Sequence, residues 1–189
     1  MNNTIVIYES KYGHTKRYAT WIAESLSCPL FERKRVTSTD LENADTIIYG
    51  GGLYAGGVSG IKLLTENWEL IRNKKIAVFT CGLANPNEPT NEAHLREGIT
   101  RVLPADMLAK ITLFHLRGGI DYPKLSLVHK AMMAMMHKML SKKAENELTL
   151  EDKSLLETYG GVVDFCSKES IGELVEWGRM YVCAVHLDC

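Results

Sequence analysis

The feature that most constrains this chain is an alternation of short β-branched runs with longer amphipathic stretches. Thr4 to Tyr8 reads TIVIY, Thr46 to Tyr49 TIIY, Lys75 to Thr80 KIAVFT and Lys110 to Leu116 KITLFHL. Near-continuous apolar runs of this length suit strands buried on both faces. Between them, Thr15 to Leu26 sets Tyr18, Trp21, Ile22 and Leu26 at the spacing of a helix lying on a sheet. Gly60 to Asn73 and Asn91 to Leu103 read as later crossover helices, and Pro29 to Val36 as a short, charged edge strand. Strand–helix alternation implies right-handed crossovers and a parallel sheet with helices on both faces. A five-stranded sheet of this kind commonly takes the order 2-1-3-4-5, with ligands beyond the carboxyl ends of the strands where the winding reverses. The sequence predicts an α/β three-layer sandwich of that form. Its ligand-binding residues should follow strands one, three and four.

After Leu116 the pattern changes. Arg117 to Pro123 is a turn-rich break, and Leu125 to Lys143 is a helix-length run loaded with Met and Lys. Thr149-x-x-Asp152 and Ser167-x-x-Ser170 look like helix starts, and Ile171 to Ala184 carries the apolar spacing of a final helix. No linker divides the chain, so residues 1–189 read as one domain with a helical insertion at about 117–150 after the fifth strand.

Composition narrows the function classes. With 46% hydrophobic and 24% charged residues the chain is globular rather than disordered. Lys and Arg number 22 against 23 Asp and Glu, which argues against a globally basic nucleic-acid binder. The five cysteines are scattered, with no CxxC, as expected in a reducing compartment. The N-terminus lacks the basic and long apolar regions of a signal peptide, and no apolar run reaches membrane-spanning length. Cytoplasmic location is the expectation.

The first loop is Glu9-Ser10-Lys11-Tyr12-Gly13-His14-Thr15, followed by a helix. Hydroxyls at Ser10 and Thr15, a glycine that lets a ligand approach the backbone, and the unpaired N–H groups of a helix start together suit a phosphate. The alternative is a plain turn with Thr15 as the helix cap. GxxxxGK[ST] is absent, so this is not a nucleotide-hydrolase loop. After strand three, Gly50-Gly51-Gly52-Leu53-Tyr54-Ala55-Gly56-Gly57 places one aromatic among five glycines. Its backbone can lie along a flat ring on which Tyr54 stacks; a flexible glycine loop with a surface Tyr is the alternative. After strand four, Thr80-Cys81-Gly82-Leu83-Ala84 offers small residues for the ring's other edge. Cys81 has no basic partner nearby in sequence and reads as a small lining residue rather than a nucleophile.

With Ser10-x-x-Gly13-x-Thr15 between TIVIY and a helix, the chain resembles flavodoxin-like FMN proteins over roughly residues 3–120. Lys11 and Tyr12 depart from the Thr/Gly run usual there. The later segment, Leu116 to Lys124 with the Met- and Lys-rich helix, Val162 to Asp164 and Ile171 to Trp177, is similar to the short quinone-dependent protoporphyrinogen oxidases of flavodoxin type. The resemblance implies FMN as cofactor, with its phosphate on Ser10, Lys11, Tyr12, Gly13, His14 and Thr15. It places the flavin ring between Gly52, Leu53, Tyr54, Ala55 and Gly56 on one side and Thr80, Cys81, Gly82, Leu83 and Ala84 on the other. It nominates no catalytic acid or base.

On a helical wheel Val128, Met132, Met135, Met136 and Met139 cluster, and Ala131, Met133 and Leu140 widen the apolar arc, while lysines make the segment basic. Three readings stand: a helix packed in the core or in a homodimer interface, an adaptable Met face for a partner or apolar ligand, or a basic amphipathic helix on an anionic membrane through residues 124–143. Cys183-x-x-His186-x-x-Cys189 supplies only three ligand types at a chain end and reads as a frayed terminus, so no metal site is expected. The functional expectation is an FMN oxidoreductase that transfers electrons to a redox partner protein. The alternatives are dehydrogenation of a porphyrinogen with a quinone as acceptor, and a binding module that has lost its flavin.

Overall fold

A computed structural model describes residues 3–54, 57–88, 91 and 99–183. The expected strands form and pair in parallel. They are β1 (Thr4–Glu9), β2 (Leu30–Glu32), β3 (Thr46–Tyr54), β5 (Lys75–Gly82) and β6 (Ile111–Arg117), in the order β2-β1-β3-β5-β6. Counting only these five, this is the predicted 2-1-3-4-5 arrangement. The two-residue strand β4 (Gly57–Val58) adds antiparallel to the end of β3.

The period of two along each strand builds two cores. Ile5, Ile7, Ile47 and Val78 face one layer, where they meet Leu41 of α2 (Ser38–Asn43), Leu64 of α3 (Lys62–Glu66) and Ile71 of α4 (Trp68–Ile71), beside α5 (Ala105–Leu108). Val6, Ile48, Ala77 and Phe79 face the other, under Tyr18 and Ile22 of α1 (His14–Leu26) and Leu174 and Trp177 of α8 (Gly172–Cys183). Full burial of each Ile, Leu or Phe is worth about 1.5–3 kcal/mol, so the inner strands anchor both layers.

Three local details differ from the sequence reading. The glycines after Tyr49 do not leave the sheet. Gly50, Gly51 and Gly52 stay in β3, paired with Phe79, Thr80 and Cys81 of β5. A Cβ at Gly50 would collide with the Phe79 ring, so the glycine makes room for a neighbour across the strand. The helix expected over 60–73 is split at Asn67, whose side-chain amide donates to the Leu63 carbonyl at 2.8 Å and ends α3. Thr15 does not cap α1; Gly13 occupies that position. Most of the expected helix over 91–103 lies outside the described residues, as do residues 184–189.

Beyond β6 the chain makes an excursion. It leaves through β7 (Gly119–Asp121) and runs through α6 (Leu127–Leu140) and α7 (Leu150–Thr158). It returns along β8 (Val162–Asp164), antiparallel to β7. Thr149 and Asp152 form the expected capping box of α7. Ser126 caps α6, its hydroxyl accepting from the His129 N–H. The Phe165 N–H donates to the Gly118 carbonyl at 3.0 Å, so the chain re-enters the main fold beside the point where it left. No helix among the described residues is long and apolar enough to cross a membrane.

Candidate functional site

The first crossover has an exposed positive end. Gly13 holds φ at +98°, a conformation that favours glycine, and no atom of the described residues lies within 4 Å of the place a Cβ would take. No side chain caps α1 and its first turn carries no acid. Lys16 and Arg17 instead add positive charge where the helix dipole is already positive. The Ser10 hydroxyl accepts from the Gly13 N–H at 3.1 Å, which folds the loop over the helix start. Thr15 is buried and borders the same cleft as Cys81 at the end of β5. Uncapped amides and open space at Gly13 fit a phosphate monoester.

Beside this end lies a cleft of about 550 Å³, within the range of small-molecule sites. Of the residues expected to hold the cofactor, Tyr12, His14, Thr15, Leu53, Tyr54, Cys81, Gly82 and Leu83 border it. Leu53 packs against Gly82, so the ends of β3 and β5 touch at its base. The Leu83 carbonyl accepts from Arg117 Nε at 3.3 Å, and the Arg117 guanidinium lies 3.7 Å over the Phe165 ring. Those contacts fix the loop after β5.

Other expected residues sit at one remove from the cleft. Ser10 and Gly13 shape the loop, and Lys11 Nζ lies 5.6 Å over the Tyr12 ring. Gly52 packs beneath Tyr54. Thr80 is buried, its hydroxyl 2.7 Å from His115 Nδ1, and Ala84 follows in a bend. Ala55 and Gly56 lie outside the described residues.

The other side of the cleft comes from the excursion, which sequence reasoning did not assign to the site. His129 and five methionines of α6 (Met132, Met133, Met135, Met136 and Met139) border the cleft, with Gly118 and Gly119 at the base of the hairpin. His129 stacks on Tyr54, centroids 5.1 Å apart and planes at 28°, and Tyr12 meets both rings edge-on. The Gly118-Gly119 pair after a strand was the local signal for this side. Leu140 is the buried residue of α6, so the helix is not packed into the core.

Electrostatics keep most of the cleft neutral. Burial pushes the Cys81 thiol up to about 12 and the Tyr54 phenol up to about 12. It also holds the His14 and His129 imidazoles below their usual range. The two carboxylates on the cleft wall are paired, Asp121 with Lys124 at 2.6 Å and Asp152 with Lys143 at 3.2 Å. His14, Asp164 and Cys166 bring metal-ligand atom types within 4.8 Å of one another, although no sequence spacing joins them. Arg17 already holds Asp164 at 2.6 Å and supplies the cation there.

The family model of the flavodoxin domain matches residues 5–147, three quarters of the sequence. The chain belongs to the flavodoxin domain family. No curated protein matches it. Among solved structures, this flavodoxin-domain chain is similar to the flavodoxin, WrbA-like protein from Agrobacterium tumefaciens, at 24% identity over 52% of this chain and 70% of that one, TM-score 0.40. It is also similar to the rubredoxin oxygen:oxidoreductase from Desulfovibrio gigas, at 13% identity over 97% and 38%, TM-score 0.43. A Streptococcus pneumoniae flavodoxin matches at 14% identity over 59% and 81%, TM-score 0.40. The family points to a flavin cofactor.

Proposed function

We propose that this chain binds FMN in the cleft and transfers electrons through it. The observation that carries the reading is the uncapped start of α1, open at Gly13, placed against a ring-sized cleft with the ends of β3 and β5 on one side and α6 on the other. The amides after Gly13 would hold the phosphate, with Thr15 beside them. Leu53, Tyr54 and Leu83 would flank the flat ring and exclude water from it. FMN, when bound, supplies one- and two-electron chemistry; the protein supplies position and environment. The Cys81 thiol stays protonated here, so no thiolate competes for the ring. The Tyr12 hydroxyl and His129 Nδ1 share a hydrogen across 2.7 Å at the α6 side of the cleft, where a proton can be held.

Adding FMN to the purified chain tests this by absorbance. A saturable, red-shifted flavin spectrum at micromolar protein is the expected result. Its absence removes the reading.

A second reading is favoured by the methionines of α6. An unbranched, polarisable wall accommodates bulky apolar molecules, which suits dehydrogenation of a porphyrinogen-type substrate with a quinone as acceptor. Turnover of protoporphyrinogen with menaquinone by the FMN-loaded protein would support it. FMN binding without turnover leaves the electron-transfer reading alone in place.

A further inference from the structure

The helix that borders the cleft also carries an apolar face turned to solvent. Leu127 is 84% exposed, Val128 68%, Met135 62% and Met139 63%. Val128, Met135 and Met139 fall within about 40° of one another at 100° per residue. Scattered apolar side chains on a surface are ordinary, but a contiguous set on one helix marks an interaction site. Lys138, on α6, and Lys142, just past its end, are both exposed on the flank of this face. From Tyr122 to Ala144 the sequence holds five lysines and no acid.

We propose that this face of α6 docks the protein on an anionic lipid bilayer, and that an apolar redox substrate enters the cleft from the lipid along the methionines. Charge complementarity selects the occupant. Lysines beside an apolar stripe match anionic headgroups above an acyl layer. Packing α6 on a second copy through a two-fold axis would set one basic segment without acids against another, which disfavours a dimer through this face. A helix of 14 residues spans about 21 Å, too short to cross a bilayer but enough to lie along its surface. Met132 and Met136 are exposed while bordering the cleft, so the stripe and the cleft are continuous. The entry of a redox substrate rests on the flavin reading above; the docking does not.

The test is sedimentation of the full chain with phosphatidylglycerol–phosphatidylcholine vesicles against phosphatidylcholine alone, at low and high salt. Binding to the anionic vesicles, weakened by salt, is expected. Lys138→Gln with Lys142→Gln should weaken it by about 25-fold, at about fivefold per lysine. Leu127→Asp with Val128→Asp should abolish it, with the thermal unfolding midpoint kept because both side chains are exposed. Equal binding to neutral vesicles, no binding to either, or unchanged binding by the variants overturns the proposal. A concentration-dependent dimer that the Asp variant dissociates, without vesicle binding, assigns the face to a second copy instead. FMN titration of the same preparations is read separately, so loss of one result does not imply loss of the other.

Discussion

The Tyr12 hydroxyl lies 2.7 Å from Nδ1 of His129, 117 residues later, and joins the loop after β1 to the helix on the far side of the cleft. The same hydroxyl accepts from the Ser126 N–H at 3.2 Å, so the start of α6 is fastened at two points. Tyr12→Phe should loosen α6 while sparing the sheet, at a cost of about 1 kcal/mol for the lost hydrogen bonding. Hydrogen exchange should quicken over 127–140 and stay unchanged in β1, β3 and β5. Uniform exchange across both would show that the contact holds nothing.

Gly13 separates two effects. Gly13→Ala meets no atom of the described residues within 4 Å but forces a side chain into a left-handed conformation, which should cost about 1 kcal/mol of stability with FMN still bound. Gly13→Asp adds a negative charge at the phosphate position and should weaken FMN binding at least tenfold beyond the Ala variant. Fluorescence titration of both variants checks this; equal affinity would put the phosphate elsewhere.

The pH dependence of stability has two steps. Burial lowers the His14 and His129 pKa values from 6.5, so the folded chain prefers neutral rings. Their contribution is complete above that pH. It declines as pH falls below it, because the unfolded chain takes up protons first. For Asp164, burial works against the carboxylate, but the Arg17 hydrogen bond overrides it and brings the pKa to about 2. That contribution is present above the unfolded value of 3.8 and is lost as pH falls toward 2. Thermal melts should fall between pH 7 and pH 5 and again below pH 4, on the scale of these two unfolded values. Asp164→Asn should shrink the lower step without abolishing it, because Asp40, Asp121, Asp152 and Glu169 are also held below their usual range.

Cys81 should be slow to alkylate. With its thiol near 12, about one in ten thousand molecules is a thiolate at pH 8, and the side chain is buried as well. Mass spectrometry after iodoacetamide treatment should find Cys81 unmodified in the folded protein and modified in urea. Rapid labelling while folded would revive the nucleophile that its sequence context argues against.

The Tyr122 hydroxyl is buried without a hydrogen-bond partner among the described residues, while its ring packs edge-on against Tyr159. Tyr122→Phe keeps the packing and removes an unsatisfied polar group, so the unfolding midpoint should hold or rise. A clear fall would reveal a partner for that hydroxyl.

Legibility followed the range of the forces involved. The strands were readable because residues such as Ile5 to Ile7 and Ile47 to Tyr49 are buried on both faces, which leaves an apolar run in sequence. The start of α1 was readable because Ser10, Gly13 and Thr15 act within one turn. Gly50 was misread because its cause, the Phe79 ring, sits on another strand. The Met face of α6 was legible as a surface for a partner or apolar ligand, but its place against the cleft was not: Tyr12 and Tyr54 meet His129 only after the β7–β8 hairpin has folded the excursion back.

The closure of that excursion has a consequence of its own. Because Phe165 bonds back to Gly118, the forty-odd residues between them form a cassette whose two ends are stitched together on the scaffold. Such a piece can be lengthened, exchanged or grafted from a relative without disturbing the order of the sheet. What the molecule accepts at the cleft can thus diverge rapidly while the cradle beneath stays fixed.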